Sequence, residues 1–160
     1  MSHIEEGTTN LVFADVPELI GQGNHQALAQ HPCLTLLRQA IALVAQQYEG
    51  AVTASYQDYW GKAYRTSLGL AICIPRSPHR SPSQALPRGL GVDITSSGQL
   101  VFQGDLWGVD TNFCQDVQRA IVQKYIALAT LAALRQMGYQ VTSEEEAETG
   151  RILITGVSYA

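Results

Sequence analysis

The sequence predicts an α+β fold: a mainly antiparallel sheet with two helices packed on one face, in the order β-α-β-β-β-β-α-β-β. Three observations carry this. Two stretches repeat apolar residues at helical spacing, and the remaining apolar stretches are short and alternate. Strands and helices do not alternate regularly along the chain, as a doubly wound parallel sheet requires. Hydrophobic residues fill 46% of the 160 positions, enough for one core at a length usual for one domain. Residues 1–160 are therefore expected to fold as a single domain.

The elements follow in order. Asn10–Asp15 is a short β-prone run stopped by Pro17, and 16–32 is rich in turn residues and reads as loop. Leu34, Leu37, Ile41, Val44 and Tyr48 then recur at helical spacing. Pro32 sits where a first helical turn tolerates it and Gly50 marks the stop, so a helix spans about 33–48. Val52, Ala54 and Tyr56 alternate as one strand, and Leu68, Leu70, Ile72 and Ile74 as the next. The segment from Pro75 to Gly89 holds four prolines and three arginines. Proline lacks the ladder donor, so 75–88 reads as a long exposed Pro/Arg-rich hairpin loop. Gly91–Ile94 and Gln99–Gly104 pair across Ser96-Ser97-Gly98 as a tight hairpin. Asp110 or Thr111 caps a longer helix whose stripe includes Phe113, Val117, Ile121, Tyr125, Leu128 and Leu134, ending at Gly138. Tyr139–Ser143 and Arg151–Tyr159 close the chain as a hairpin around an acidic turn.

Charge is scarce and segregated. Charged residues are 15% of the chain and the net charge is −4, which disfavours bulk nucleic-acid binding. Residues 51–90 nevertheless carry Lys62, Arg65, Arg76, Arg80 and Arg88 against Asp58 alone, while both flanks are acidic. A basic middle between acidic flanks suits an anionic or acidic partner. The otherwise weakly charged surface suits another protein, and a homo-oligomer is compatible with it. Cys33, Cys73 and Cys114 form no CxxC pair, and the four histidines form no HxH or HxxxH pair. No metal site, no disulfide scaffold and no cofactor are expected. The N-terminus lacks the basic and apolar regions of a signal peptide, and no apolar run reaches membrane-spanning length. A cytoplasmic protein is the expectation.

Motifs of catalysis are missing. Gly89-Leu90-Gly91-Val92-Asp93 lacks the third glycine and following helix of a dinucleotide fingerprint. There is no GxxxxGK[ST], no GxSxG, and no histidine next to Cys114. The most distinctive positions are an internal echo: Asp58-Tyr59-Trp60-Gly61 and Asp105-Leu106-Trp107-Gly108 both read DxWG. Asp105, between a strand and the long helix, is either a displayed carboxylate with Trp107 as a stacking wall or a turn residue bonded to backbone N–H groups. Tyr56, Tyr59, Trp60 and Tyr64 with Lys62 and Arg65 mix rings and cations, as stacking on bases or cation–π contact with a partner needs; an amphipathic strand edge has the same composition.

Met1-Ser2-His3, the hairpin strand LVFQGDLWGV (100–109), the helix VQKYIALATLAALRQMGYQV (122–141), Gly150 and RILITGV (151–157) come in a familiar order. In this the chain resembles a conserved chloroplast open-reading-frame (Ycf-type) family of cyanobacteria and red-algal plastids. The matching features fall on Asp105, Tyr125, Gly138-Tyr139 and Gly150 to Leu153, and cover most of 96–157. The chain departs from the family at the longer loop 16–32 and at the insertion 75–88. The resemblance implies a non-secreted protein of a photosynthetic lineage and lends no catalytic residue.

The expected function is accordingly that of a non-catalytic interaction or assembly protein. The candidate surface is Asp105, Trp107, Asp58, Trp60, Lys62, Arg65, Arg76, Arg80 and Arg88. One rival is a small-ligand binder or enzyme with a pocket near Asp105 and Trp107; another is a single-stranded nucleic-acid binder through Tyr56–Arg65.

Overall fold

In the computed structural model, which describes residues 3–146 and 151–158, one sheet runs from edge to edge through five strands. They are β1 (Ile4–Val12), β7 (Gln99–Asp105), β6 (Leu86–Ile94), β5 (Leu70–Ile74) and β2 (Ala51–Thr53). Every neighbouring pair is antiparallel. Because strand side chains alternate between faces, Leu70, Ile72, Leu90, Val92, Leu100 and Phe102 share one face. They meet Leu34, Leu37, Ile41 and Val44 of α3 (Pro32–Gln47) and Phe113, Val117 and Ile121 of α4 (Thr111–Gln136) in one buried core. The predicted α+β class and its two long helices on one face are what the structure has. Asp110 caps α4, its carboxylate accepting from the Asn112 N–H at 2.9 Å.

The second face of the sheet carries a small hairpin, β3 (Ser55–Gln57) and β4 (Ala63–Arg65). Tyr56 of β3 is buried and lies on β6 at Gly89 and Gly91. A Cβ on Gly91 would stand 2.6 Å from the Tyr56 ring. The expected single strand through Val52, Ala54 and Tyr56 is thus two strands in two layers. The chain leaves the main sheet at Ala54 and crosses to its other face. β4 has too few apolar residues to signal itself.

Other expectations also need correction. The first strand runs Ile4–Val12, not 10–15, because pairing with β7 begins at Ile4↔Asp105. The expected loop 16–32 holds two short helices, α1 (Val16–Gly21) and α2 (His25–Gln30). Asn24 caps α2 by accepting from the Ala27 N–H. The Pro/Arg-rich segment is not wholly an exposed loop. Ala85 and Leu86 are buried, and Leu86–Arg88 open β6. Pro87 is tolerated there because the β5–β6 register shifts between Ile72↔Leu90 and Ile74↔Leu86, and β7 pairs with β6 only from Gly91.

Beyond Ala127 no residue of α4 is fully buried. Its second half carries a third, two-stranded sheet, β8 (Tyr139–Glu145) and β9 (Ile152–Ser158). Met1, Ser2, residues 147–150 of the expected acidic turn, including Gly150, Tyr159 at the end of the expected last strand, and Ala160 lie outside the described residues. No helix among the described residues is long and apolar enough to cross a membrane.

Candidate functional site

The two DxWG segments build the same turn. In each, the aspartate carboxylate accepts from the backbone N–H two residues on: Trp60 to Asp58 Oδ1 at 2.9 Å, and Trp107 to Asp105 Oδ1 at 3.2 Å. In each, the closing glycine takes a left-handed φ, 85° at Gly61 and 78° at Gly108, which a side chain would disfavour. This is an Asx turn, and it projects the tryptophan outward. Asp58 also accepts from the Lys62 N–H and the Tyr64 hydroxyl.

The fold then joins the two turns. The first forms the tip of the β3–β4 hairpin and the second follows the end of β7. Asp105 is 2% exposed, and its Oδ2 accepts from the Tyr59 N–H at 2.8 Å. That bond ties the hairpin tip to the end of the sheet. Arg88 closes the arrangement from β6. It donates to the Asp105 carbonyl at 3.0 Å and to the Trp107 carbonyl, with its Nη2 3.9 Å from Asp105 Oδ1. A buried carboxylate with this many donors is held in place. Its oxygens position the two turns.

Above this anchor, three rings stand in solvent. Tyr59 lies between the tryptophans, 5.1 Å from Trp60 and 5.0 Å from Trp107, both edge-on, a favoured aromatic geometry. Trp60 is 79% exposed and Trp107 54%. The Arg88 guanidinium lies 5.8 Å from the Tyr59 ring centre. Beside Trp107 opens a cavity of about 270 Å³, lined by Tyr59, Trp107, Arg76, Arg88, Pro82 and Pro87 among others. Below the rings, Tyr56 and Tyr64 stack at 5.5 Å, and Lys62 Nζ lies 5.2 Å from the Tyr64 ring centre. Desolvation raises both hydroxyls above the usual tyrosine value, helped by the charges of Asp93 at Tyr56 and Asp58 at Tyr64, so both stay protonated at neutral pH.

Of the nine candidate residues, Asp58, Trp60, Lys62, Arg76, Arg88, Asp105 and Trp107 are gathered at or beside this end of the sheet. Asp105 takes its place as the turn residue bonded to backbone N–H groups. Two arginines go elsewhere. Arg65 sits at the far end of the hairpin, its guanidinium over Gly69. Arg80 turns inward, donating to the carbonyls of Gln84, Pro75 and Tyr48 while its guanidinium faces the Tyr48 and Phe113 rings. It fastens the loop to α3 and α4. Tyr59, expected only as one ring of the Tyr56–Arg65 cluster and not on the candidate surface, is the middle ring of the site; its place inside the first DxWG is the signal that marks it. Pro82 and Pro87 were read only as strand breakers, yet they wall the cavity.

Elsewhere, burial pushes the Cys73 and Cys114 thiols above their ordinary value, away from a reactive thiolate. Among the described residues no three His, Cys, Asp or Glu side chains are grouped to hold a metal ion. A wider groove of about 700 Å³ runs between β1 and α4, with Thr9, Asn10, Gln115 and Gln118 above Phe102 and Val122 and with Arg119 on its rim.

Fold and site together describe an α+β domain whose sheet end displays a braced aromatic and cationic surface. Comparison with protein-family models, with curated proteins and with solved structures returns no match.

Proposed function

We propose that the protein is a non-catalytic binding module that takes an acidic segment of a partner protein on the Tyr59–Trp60–Trp107 surface. One observation carries this reading: two Asx turns, joined through Asp105, present three large rings to water, edge-on to one another. Aromatic anchors held in place before binding lose little side-chain freedom, and such residues dominate interface energies. The rim is cationic: Arg76 and Arg88 line the cavity and Lys62 lies on the same hairpin. In a chain of net charge −4 this basic stretch attracts acidic partners. The carboxylates of the site are engaged in turns, which supports binding over acid–base chemistry. A cavity of about 270 Å³ fits one side chain of the partner and lies just below the usual span of small-molecule pockets, about 300–1,000 Å³. That the protein belongs to a photosynthetic lineage rests on the sequence resemblance alone.

Selection from a displayed peptide library tests the reading, with affinities followed by the fluorescence of Trp60 and Trp107, the chain's two tryptophans. Enriched peptides should carry Asp or Glu around one bulky side chain, and binding should weaken as salt rises. Trp107→Ala should lower affinity about thirtyfold, the size of a hot spot of about 2 kcal/mol. Trp60→Ala, at the most exposed ring, should weaken binding with no change in thermal midpoint. Enrichment that survives both substitutions overturns the reading. Tryptophan-dependent binding of a single-stranded oligonucleotide, or of a small anion in the cavity, would replace it with one of the rival readings.

A further inference from the structure

The β8–β9 ribbon is a two-stranded sheet, and such a ribbon gains stability from a further strand or from apolar cover. One face has cover: Tyr139, Val141, Ile152 and Ile154 are partly buried on the side facing α4. The other exposes Leu153 and Val157, at 61% and 57%. The two edges differ in charge. β8 ends in Glu144 and Glu145, the latter paired with Lys124 of α4 at 3.2 Å, and is followed by Glu146, whereas β9 has no charged residue from Ile152 to Ser158. A row of like charges discourages edge pairing, so β9 is the edge open to a neighbour. Beside it, Ile126 of α4 is 48% exposed and lines a cavity of about 250 Å³ with Ile152 and Ile154.

β9 is complementary to itself. Two copies paired antiparallel about a twofold axis at Thr155 place Leu153 of one opposite Val157 of the other, twice, and Thr155 opposite Thr155. These are favourable cross-strand pairs, and they join the two exposed apolar residues of the ribbon. Ile154 falls opposite Gly156, which leaves room on the inner face. An axis perpendicular to the sheet keeps the faces aligned. Both α4 helices then lie on one side, and each exposed Ile126 lies beneath the joined strands. We propose that the β9 edge is a homodimer interface, giving a four-stranded sheet β8-β9-β9-β8 across two copies. An isologous contact of this kind closes as a dimer, and it is independent of the aromatic site.

Light scattering coupled to size exclusion on the full chain tests it, with charge-swap variants at exposed Thr155. The wild type should elute as a dimer at tens of micromolar. Thr155→Glu and Thr155→Lys should each be monomeric with unchanged circular dichroism, and an equal mixture of the two should return to dimer mass. Recovery on mixing separates a lost interface from a misfolded ribbon. Under mild oxidant, Thr155→Cys should cross-link between copies, while Thr142→Cys on β8 should stay at the wild-type background. A monomeric wild type, a Thr155→Glu dimer, or cross-linking through Thr142→Cys instead overturns the proposal.

Discussion

Gly91 stands where a methyl group would strike another residue. Its Cβ would lie 2.6 Å from two ring atoms of Tyr56 and 2.9 Å from Thr66 Cγ2, all packed against β6. Neither neighbour has free space to retreat into, since Tyr56 and Thr66 are both buried. Gly91→Ala should therefore destabilise the fold by about 1–3 kcal/mol, the usual cost of overpacking. At Gly7 the conflict is with the amide end of Gln118, at 2.7 Å, which can swing aside, so Gly7→Ala should cost well under that. Urea midpoints of the two variants give the comparison, and equal midpoints would refute the packing account. The sequence showed that Gly89 and Gly91 do not form a phosphate cradle. It did not show why they are glycines, because the answer is Tyr56, more than thirty positions earlier. Asp105 was legible only as one of two alternatives, since its partner, the Tyr59 N–H, arrives from a separate hairpin.

At the scale of elements, the start of α3 joins several local signals. Pro32 occupies the first turn, and His31 caps the helix through Nδ1, which accepts from the N–H groups of Cys33 at 3.2 Å and Leu34 at 3.4 Å. With Nδ1 accepting, Nε2 carries the proton and donates to Asp15 Oδ2 at 2.8 Å. This bond holds the Asp15 carboxyl below its ordinary value. A lowered folded value means that the stabilisation is complete above the unfolded value, near pH 4. It is lost as pH falls through the folded value. The stability gap between wild type and Asp15→Asn should therefore be constant near neutrality and close below about pH 4. Thermal midpoints from pH 7 to 2 measure it; a gap that widens in acid would contradict the sign. The long helices were readable because their stripes repeat over many turns. The short α1 and α2 were not, since six residues hold too few repeats to outweigh Gly21, Gly23 and Asn24. The break at Ala54 was hidden because alternation continues through it while the strands change sheets. Arg80 was counted with the basic loop because nothing local shows that it points inward to Tyr48 and Phe113.

At the scale of the molecule, burial is uneven, and stability should follow it. The five-stranded sheet, α3 and the first half of α4 share one core, whereas β8 and β9 rest on the second half of α4, from Lys124 and Ile126 to Leu134, where only Tyr125 and Ala127 are buried. Amide exchange reads this directly, because amides in poorly packed segments open without global unfolding. Core amides such as those of Val92, Phe102 and Ile121 should exchange only through global unfolding. Those of β8 and β9 should exchange much faster at low protein concentration. If two copies join at β9, concentration becomes a second variable, because association stabilises whatever it buries. Raising the protein from about 1 to about 100 micromolar should then slow exchange along β9. The amides of β1, also an edge strand but outside that contact, should be unaffected. Slowing that extends equally to β1 would place the contact elsewhere. Protection of β8 and β9 as high as that of Phe102 at the lowest concentration would show the ribbon to be part of the core's cooperative unit. The acidic residues of β8 give the trend a further dependence: they keep that edge solvated in both states, so salt should change exchange along β9 little while it weakens binding at the cationic aromatic site.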